Sequence, residues 1–151
     1  MRIAFLGKGG SGKTTTAASF IRHASGKSPF VLAFDADVNA HLGAALSIES
    51  EPPHLGELFT PITEYLKGKR TDLGEKPMIM TTPPSLLSNF IRCQFDDALI
   101  AKYGRRKGAI ALLTVGKYEQ ADVGSACYHS KLSGAISILH HLLDGPSDIV
   151  V

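Results

Sequence analysis

Cysteine is scarce in this chain: its 151 residues include two, Cys93 and Cys127. So few exclude a disulfide framework and fit a reducing compartment. No apolar stretch reaches the length of a membrane span, and no basic start leads into an apolar run with a small-residue cleavage site. The expectation is a cytoplasmic protein without a leader. Excess charge is lacking too, since 16 Lys and Arg stand against 14 Asp and Glu for a net charge of +2. Such a balance singles out no nucleic acid or membrane partner. A local basic cluster, Lys102, Arg105, Arg106 and Lys107 beside Tyr103, carries no recognition motif. It reads as a solvated loop, with a nucleic-acid contact as the other reading. There is no G-x-S-x-G elbow and no Ser-His-Asp arrangement, which removes the usual hydrolase nucleophiles. Repeats and low-complexity tracts are absent. With 44% hydrophobic and 20% charged residues, residues 1–151 read as one globular unit with material for a core.

What the chain does have stands at its start. Residues 1–6 form an apolar run suited to a buried strand and lead straight into Gly7-Lys8-Gly9-Gly10-Ser11-Gly12-Lys13-Thr14-Thr15. The run matches G-x-x-x-x-G-K-[ST]. In this pattern glycines let backbone N–H groups close around phosphate oxygens, the lysine neutralises β and γ charges, and the hydroxyl ligates Mg²⁺. Residue frequencies alone produce the bare pattern in roughly half a percent of chains this long, so the flanks decide. Ala17, Phe20, Ile21 and Ala24 fall at helical spacing, and Gly26 can end that helix. The loop therefore opens a helix, where unpaired N–H groups and the macrodipole favour an anion. A merely tight strand-to-helix turn has no use for Gly-Lys-Thr. Candidate nucleotide-binding residues are Gly7, Gly9, Gly10, Ser11, Gly12, Lys13, Thr14 and Thr15, with ATP or ADP and Mg²⁺ as ligands.

A second β-prone run, residues 29–34, ends in Asp35-Ala36-Asp37-Val38-Asn39. Ligands of an open parallel sheet gather at the C-terminal ends of its strands, so these acids are expected to face the phosphate loop. The alternative is that Asp35 and Asp37 cap and solvate the following turn. Further strands are expected over 2–6, 78–81, 109–115 and 149–151, with helices over 12–24, 54–59, 85–103 and 130–143. Residues 60–76 are polar and read as a surface excursion. The alternation predicts an α/β fold, a mainly parallel sheet between helix layers.

With its extra lysine, Lys8-Gly9-Gly10-Ser11-Gly12-Lys13-Thr14-Thr15 resembles the deviant Walker A signature of the MinD, ParA, nitrogenase iron protein and arsenite-pump group of P-loop ATPases. The resemblance implies a three-layer α/β/α P-loop NTPase domain and an ATP-dependent homodimer in which Lys8 reaches the partner's nucleotide. Residues 35–42 are similar to the family's switch I, D-x-D-P-x-x-x-L. By that match Asp37 would orient the attacking water and Asp35 would support the metal shell with Thr14, although Val38 stands in place of the proline. By the family's spacing the chain ends within a residue or two of the Walker B acid, since Asp148 precedes the apolar residues 149–151. The sheet is then incomplete at the C-terminus, and the chain is expected to bind nucleotide better than it hydrolyses it.

A weaker constellation lies farther on. Gly124-Ser125-Ala126-Cys127-Tyr128-His129 precedes an amphipathic helix bearing Leu132, Ala135, Ile136, Leu139, Leu142 and Leu143 on one face. A thiol at a helix start has a lowered pKa. Two ligands per chain become four across a symmetric dimer, enough for Zn²⁺ or Ni²⁺. The segment is similar to that of nickel-insertion (CooC-like) ATPases that mature carbon monoxide dehydrogenase, with Cys127 at the first cysteine of their G-x-C-x-C and His129 at the second. The other reading is an ordinary buried cysteine. His140 and His141 read as surface and half-buried helix positions.

The leading expectation is thus a nucleotide-driven dimer switch. Its client would be a metalloenzyme, or it would act in partitioning on DNA or membrane. A non-catalytic nucleotide-binding regulator and a small-molecule kinase or ligase are the alternatives from other classes.

Overall fold

Residues 31–35 and 110–114 are apolar at nearly every position, the pattern of strands covered on both faces. A computed structural model describes residues 1–118, 120–123, 127–143, 145 and 148–151. In it helix α1 (Lys13–Ser25) leads to strand β1 (Val31–Asp35), helix α2 (Leu42–Ala45), a 3₁₀ turn (Leu55–Glu57) and helix α3 (Phe59–Lys67). Strand β2 (Ile91–Arg92), helix α4 (Ala98–Tyr103), strands β3 (Arg105–Lys107) and β4 (Ile110–Thr114), and a second 3₁₀ turn (Gln120–Asp122) follow. Helix α5 (Tyr128–His141) and strands β5 (Leu142–Leu143) and β6 (Ile149–Val150) complete the order.

The main sheet runs β3-β4-β1-β6, with β1 parallel to both neighbours and β3 antiparallel at one edge. Alternate side chains of β1 and β4 point to opposite faces. Val31, Ala33, Ile110 and Leu112 pack with Ala17, Ala18, Ile21 and Ala24 of α1 and with Leu42 and Leu46. Leu32, Ala111 and Leu113 pack with Leu55, with Ile62 and Leu66 of α3, and with Ala135 and Ile138 of α5. Two apolar clusters on opposite faces make the three-layer α/β/α arrangement that the alternation predicts. A small parallel sheet, β2 with β5, ties the α4 and α5 segments together.

Five local expectations are corrected. Residues 2–6 form no continuous strand: Arg2 bridges Val150 and Ile3 N–H donates to the Val150 oxygen at 2.9 Å, but Leu6 is 90% exposed. A ladder extends only as far as its partner, and β6 has two residues. Residues 78–81 are irregular, and the expected helix over 85–103 is reduced to α4. Asp97 decides that boundary, because its carboxylate accepts the N–H groups of Leu99, Ile100 and Arg92 and so fixes a helix start there. The supposed surface excursion over 60–76 instead contains most of α3, with Ile62 and Leu66 fully buried one turn apart. The basic cluster is likewise no loop: Arg105–Lys107 is β3, Arg106 stacks on Phe95 at 3.9 Å, and Lys107 Nζ donates to the carbonyls of Leu46 and Ser47.

His141 is fully buried rather than half-buried, while His140 is exposed. Its Nδ1 lies 2.9 Å from the Ser137 carbonyl oxygen, which can only accept, so Nδ1 carries the proton of a neutral ring. Burial pushes its pKa below the ordinary histidine value, and His140 and Arg70 push the same way. The unfolded chain therefore takes up this proton before the folded chain does, so the stability that His141 supplies is present above the unfolded pKa and lost as pH falls below it. Urea unfolding at about pH 7.5 and about pH 5.5 is expected to show a drop in stability that His141→Leu reduces. At neutral pH, Leu66→Ala is expected to cost about 2–5 kcal/mol. Leu86→Ala, at a position 99% exposed, should stay within about 0.5 kcal/mol in the same assay.

Candidate functional site

The glycine loop folds as its composition requires. Gly12, directly before α1, has φ +83°, a left-handed conformation that a side chain strains. A Cβ at Gly7 would lie 2.6 Å from Ser11 Oγ, so that hydroxyl would have to turn away to admit one. Ser11 N–H donates to the Lys8 oxygen at 3.2 Å and Thr16 N–H to the Gly12 oxygen at 2.9 Å, which turns the chain into the helix. Lys13 starts α1, half-buried, and its Nζ donates to the Lys8 oxygen at 3.3 Å.

The acids arrive from β1. Asp35 is 5% exposed; its Oδ2 accepts Leu42 N–H at 2.7 Å and its Oδ1 accepts Asp37 N–H at 3.3 Å. It thereby holds the start of α2, as the capping alternative has it, while also lining the cleft. Burial pushes its pKa up, and the two N–H donors oppose that shift. Asp37 is held below the ordinary carboxylate value by Asn39 N–H, the Asn39 amide and Lys13. Asp37 Oδ2 stands 3.5 Å from Lys13 Nζ.

Gly7, Lys13, Thr14, Asp35 and Asp37 thus share one cleft of about 510 Å³, with Phe5, Ala17, Phe34, Leu42, Leu139 and Val150 as apolar wall. Lys8, Gly9, Gly10, Ser11, Gly12 and Thr15 are exposed and do not line it. A loop of small residues with two left-handed glycines, a lysine and a threonine at a helix start, and two acids opposite is a donor set that fits a nucleotide phosphate with Mg²⁺. Sequence reasoning missed Asn39, whose backbone and side chain both bond Asp37 Oδ1 at 3.0 Å. The Asp-x-Asn spacing was its signal.

Cys127 and His129 do not line this cleft. Cys127 precedes α5 and His129 is in its first turn. Both are exposed, so the buried-cysteine alternative does not hold, and neither Cys127 nor Cys93 forms a disulfide. The Ser130 N–H, with the Ser130 hydroxyl and His129 N–H, holds the Cys127 thiol below its ordinary pKa. Gly124, Ser125 and Ala126 of that segment lie outside the described residues. Among the described residues no group of three or more His, Cys, Asp or Glu could hold a metal ion, and no helix is long and apolar enough to cross a membrane.

The family profile of the CobQ/CobB/MinD/ParA nucleotide binding domain matches residues 3–145. An uncharacterized ATP-binding protein of Methanocaldococcus jannaschii is 30% identical over 151 residues, covering 100% of this chain and 53% of its own length. The carbon monoxide dehydrogenase accessory protein CooC of Rhodospirillum rubrum is 30% identical over 153 residues, again 100% of this chain and 53% of the relative. The chain spans about half the length of the curated relatives it matches. A profile match over most of the chain agrees with a glycine loop that opens a helix beside acids at a parallel strand's end, and the chain belongs to the CobQ/CobB/MinD/ParA nucleotide-binding domain family of P-loop ATPases.

Proposed function

We propose that this chain binds ATP or ADP with Mg²⁺ at the 7–15 loop and that the bound nucleotide controls the pairing of two copies. The observation that carries the reading is the convergence of Lys13 and Asp37 on one cleft, 3.5 Å apart. In this reading the loop's backbone N–H groups and Lys13 hold the phosphates. The Thr14 hydroxyl and Asp35, which line the same cleft, would hold the metal, and the metal would neutralise phosphate charge there. Asp37 stays ionised and is suited to orient a water at the phosphate. Lys8 is exposed, which leaves it accessible to the nucleotide of a partner copy.

Isothermal titration with ATP-Mg²⁺, with oligomeric state recorded before and after, tests this. Saturable binding is expected, weakened about tenfold or more in Lys13→Ala, with a shift from monomer to dimer. A folded sample that binds no nucleotide would overturn the reading.

A second reading concerns the client. One relative is named as an accessory protein of carbon monoxide dehydrogenase, and Cys127 and His129 are exposed at one helix start. On this reading two copies supply Cys₂His₂ to a soft divalent ion and the switch serves maturation of a metalloenzyme. Native mass spectrometry is expected to find one ion per dimer, lost in Cys127→Ser. A dimer free of metal after incubation with Zn²⁺ and Ni²⁺ would refute it.

A further inference from the structure

Asp37 is held more firmly than a half-exposed carboxylate needs to be. Its Oδ1 accepts two hydrogen bonds from one residue, the Asn39 N–H and the Asn39 Nδ2, each at 3.0 Å. Two donors on a single oxygen fix the carboxylate plane, because rotating it breaks both at once. The free direction of the other oxygen, Oδ2, then points at Lys13 Nζ, 3.5 Å away. The rest of the segment is braced to match. Asp35 accepts the N–H groups of Asp37 and Leu42, and Ala40 donates its N–H to the Asp37 backbone carbonyl at 3.0 Å. Ala40 does so with φ +49°, a left-handed conformation that residues other than glycine hold only when their surroundings impose it, and one that collects at switch segments.

This arrangement has a consequence for the loop. The Lys13 ammonium is engaged on two sides, by the Lys8 carbonyl at 3.3 Å and by the Asp37 carboxylate. A phosphate entering the cleft needs that same ammonium, and its own charge repels Asp37. Both anions cannot hold it equally well. We infer that Asn39 is a positioning residue that parks Asp37 on Lys13, so that the carboxylate competes with phosphate for the lysine ammonium. The inference rests on the nucleotide-binding reading of the cleft and adds a regulatory contact to it. The ion pair is partly exposed, with side-chain exposures of 23% and 31%, so it biases entry without blocking it.

The test is titration of the unsubstituted chain and of Asn39→Ala with ADP and with inorganic pyrophosphate. Asn39 is exposed, so the substitution leaves the core untouched, and a thermal melt serves as the control. Removing the amide leaves only the backbone N–H of residue 39 on Oδ1 and loosens the hold of Asp37 on Lys13, and both ligands are expected to bind about threefold tighter. The direction is diagnostic, because damage to the loop would weaken binding. Equal or weaker binding of ADP by a variant that melts like the parent overturns the inference. A gain for ADP without one for pyrophosphate overturns it too, since the competition is for phosphate. Failure of the unsubstituted chain to bind either ligand overturns the nucleotide reading itself, and the competition with it.

Discussion

The parallel pairing of β1 with β4 is the constraint on which the rest of the molecule depends. Its register runs from Val31 opposite Ile110 to Asp35 opposite Thr114. It sets two apolar strands side by side and ends them at one level. Because both faces of this pair are covered, by α1 and α2 on one side and α3 and α5 on the other, the strands cannot slip by one residue without exchanging every buried side chain between layers. The chain leaves both strands at the same end, after Asp35 and after Thr114, and Val115 N–H donates to the Asp35 carbonyl oxygen at 2.9 Å. The acids therefore emerge at a fixed height above the sheet, beside the start of α1.

That fixed height lets two carboxylates two residues apart behave differently. Asp35 is drawn into the end of the sheet, where burial favours its neutral form and two backbone N–H groups hold it in place. Asp37 stands one step farther out, where N–H donors and a lysine favour the charged form. Opposite shifts in neighbouring acids separate a structural carboxylate from one available for electrostatic work. The separation follows from position along the strand's exit, since the residue type is the same.

Much of the site was readable from local spacing, and the physical reason is that its parts are contiguous. Gly7 through Thr15 is one uninterrupted run, the helix after it repeats apolar residues at helical spacing, and Asp35 and Asp37 directly follow a β-prone run. The less legible parts are those that need a distant partner. Residues 2–6 have the composition of a strand but find a ladder only at Val150. Ile62 and Leu66 looked like polar-segment residues until α5 supplied the surface that buries them. Asp97 ends the expectation of a long helix over 85–103 because its carboxylate collects N–H groups from both Arg92 and the start of α4. The burial of Cys127 was misjudged for the same reason: a thiol's exposure depends on which element passes over it.

The sequence by itself determined the α/β class, the phosphate-type loop at a helix start and the placing of two acids after a strand, because each is encoded in residues that are neighbours along the chain. Only the tertiary structure decided that Asp37 meets Lys13, that Asp35 is buried while Asp37 is held toward its charged form, and that His141 is sealed in the core. Those are distances and dielectric environments. They exist once the sheet has brought remote segments together, and no local pattern fixes them in advance.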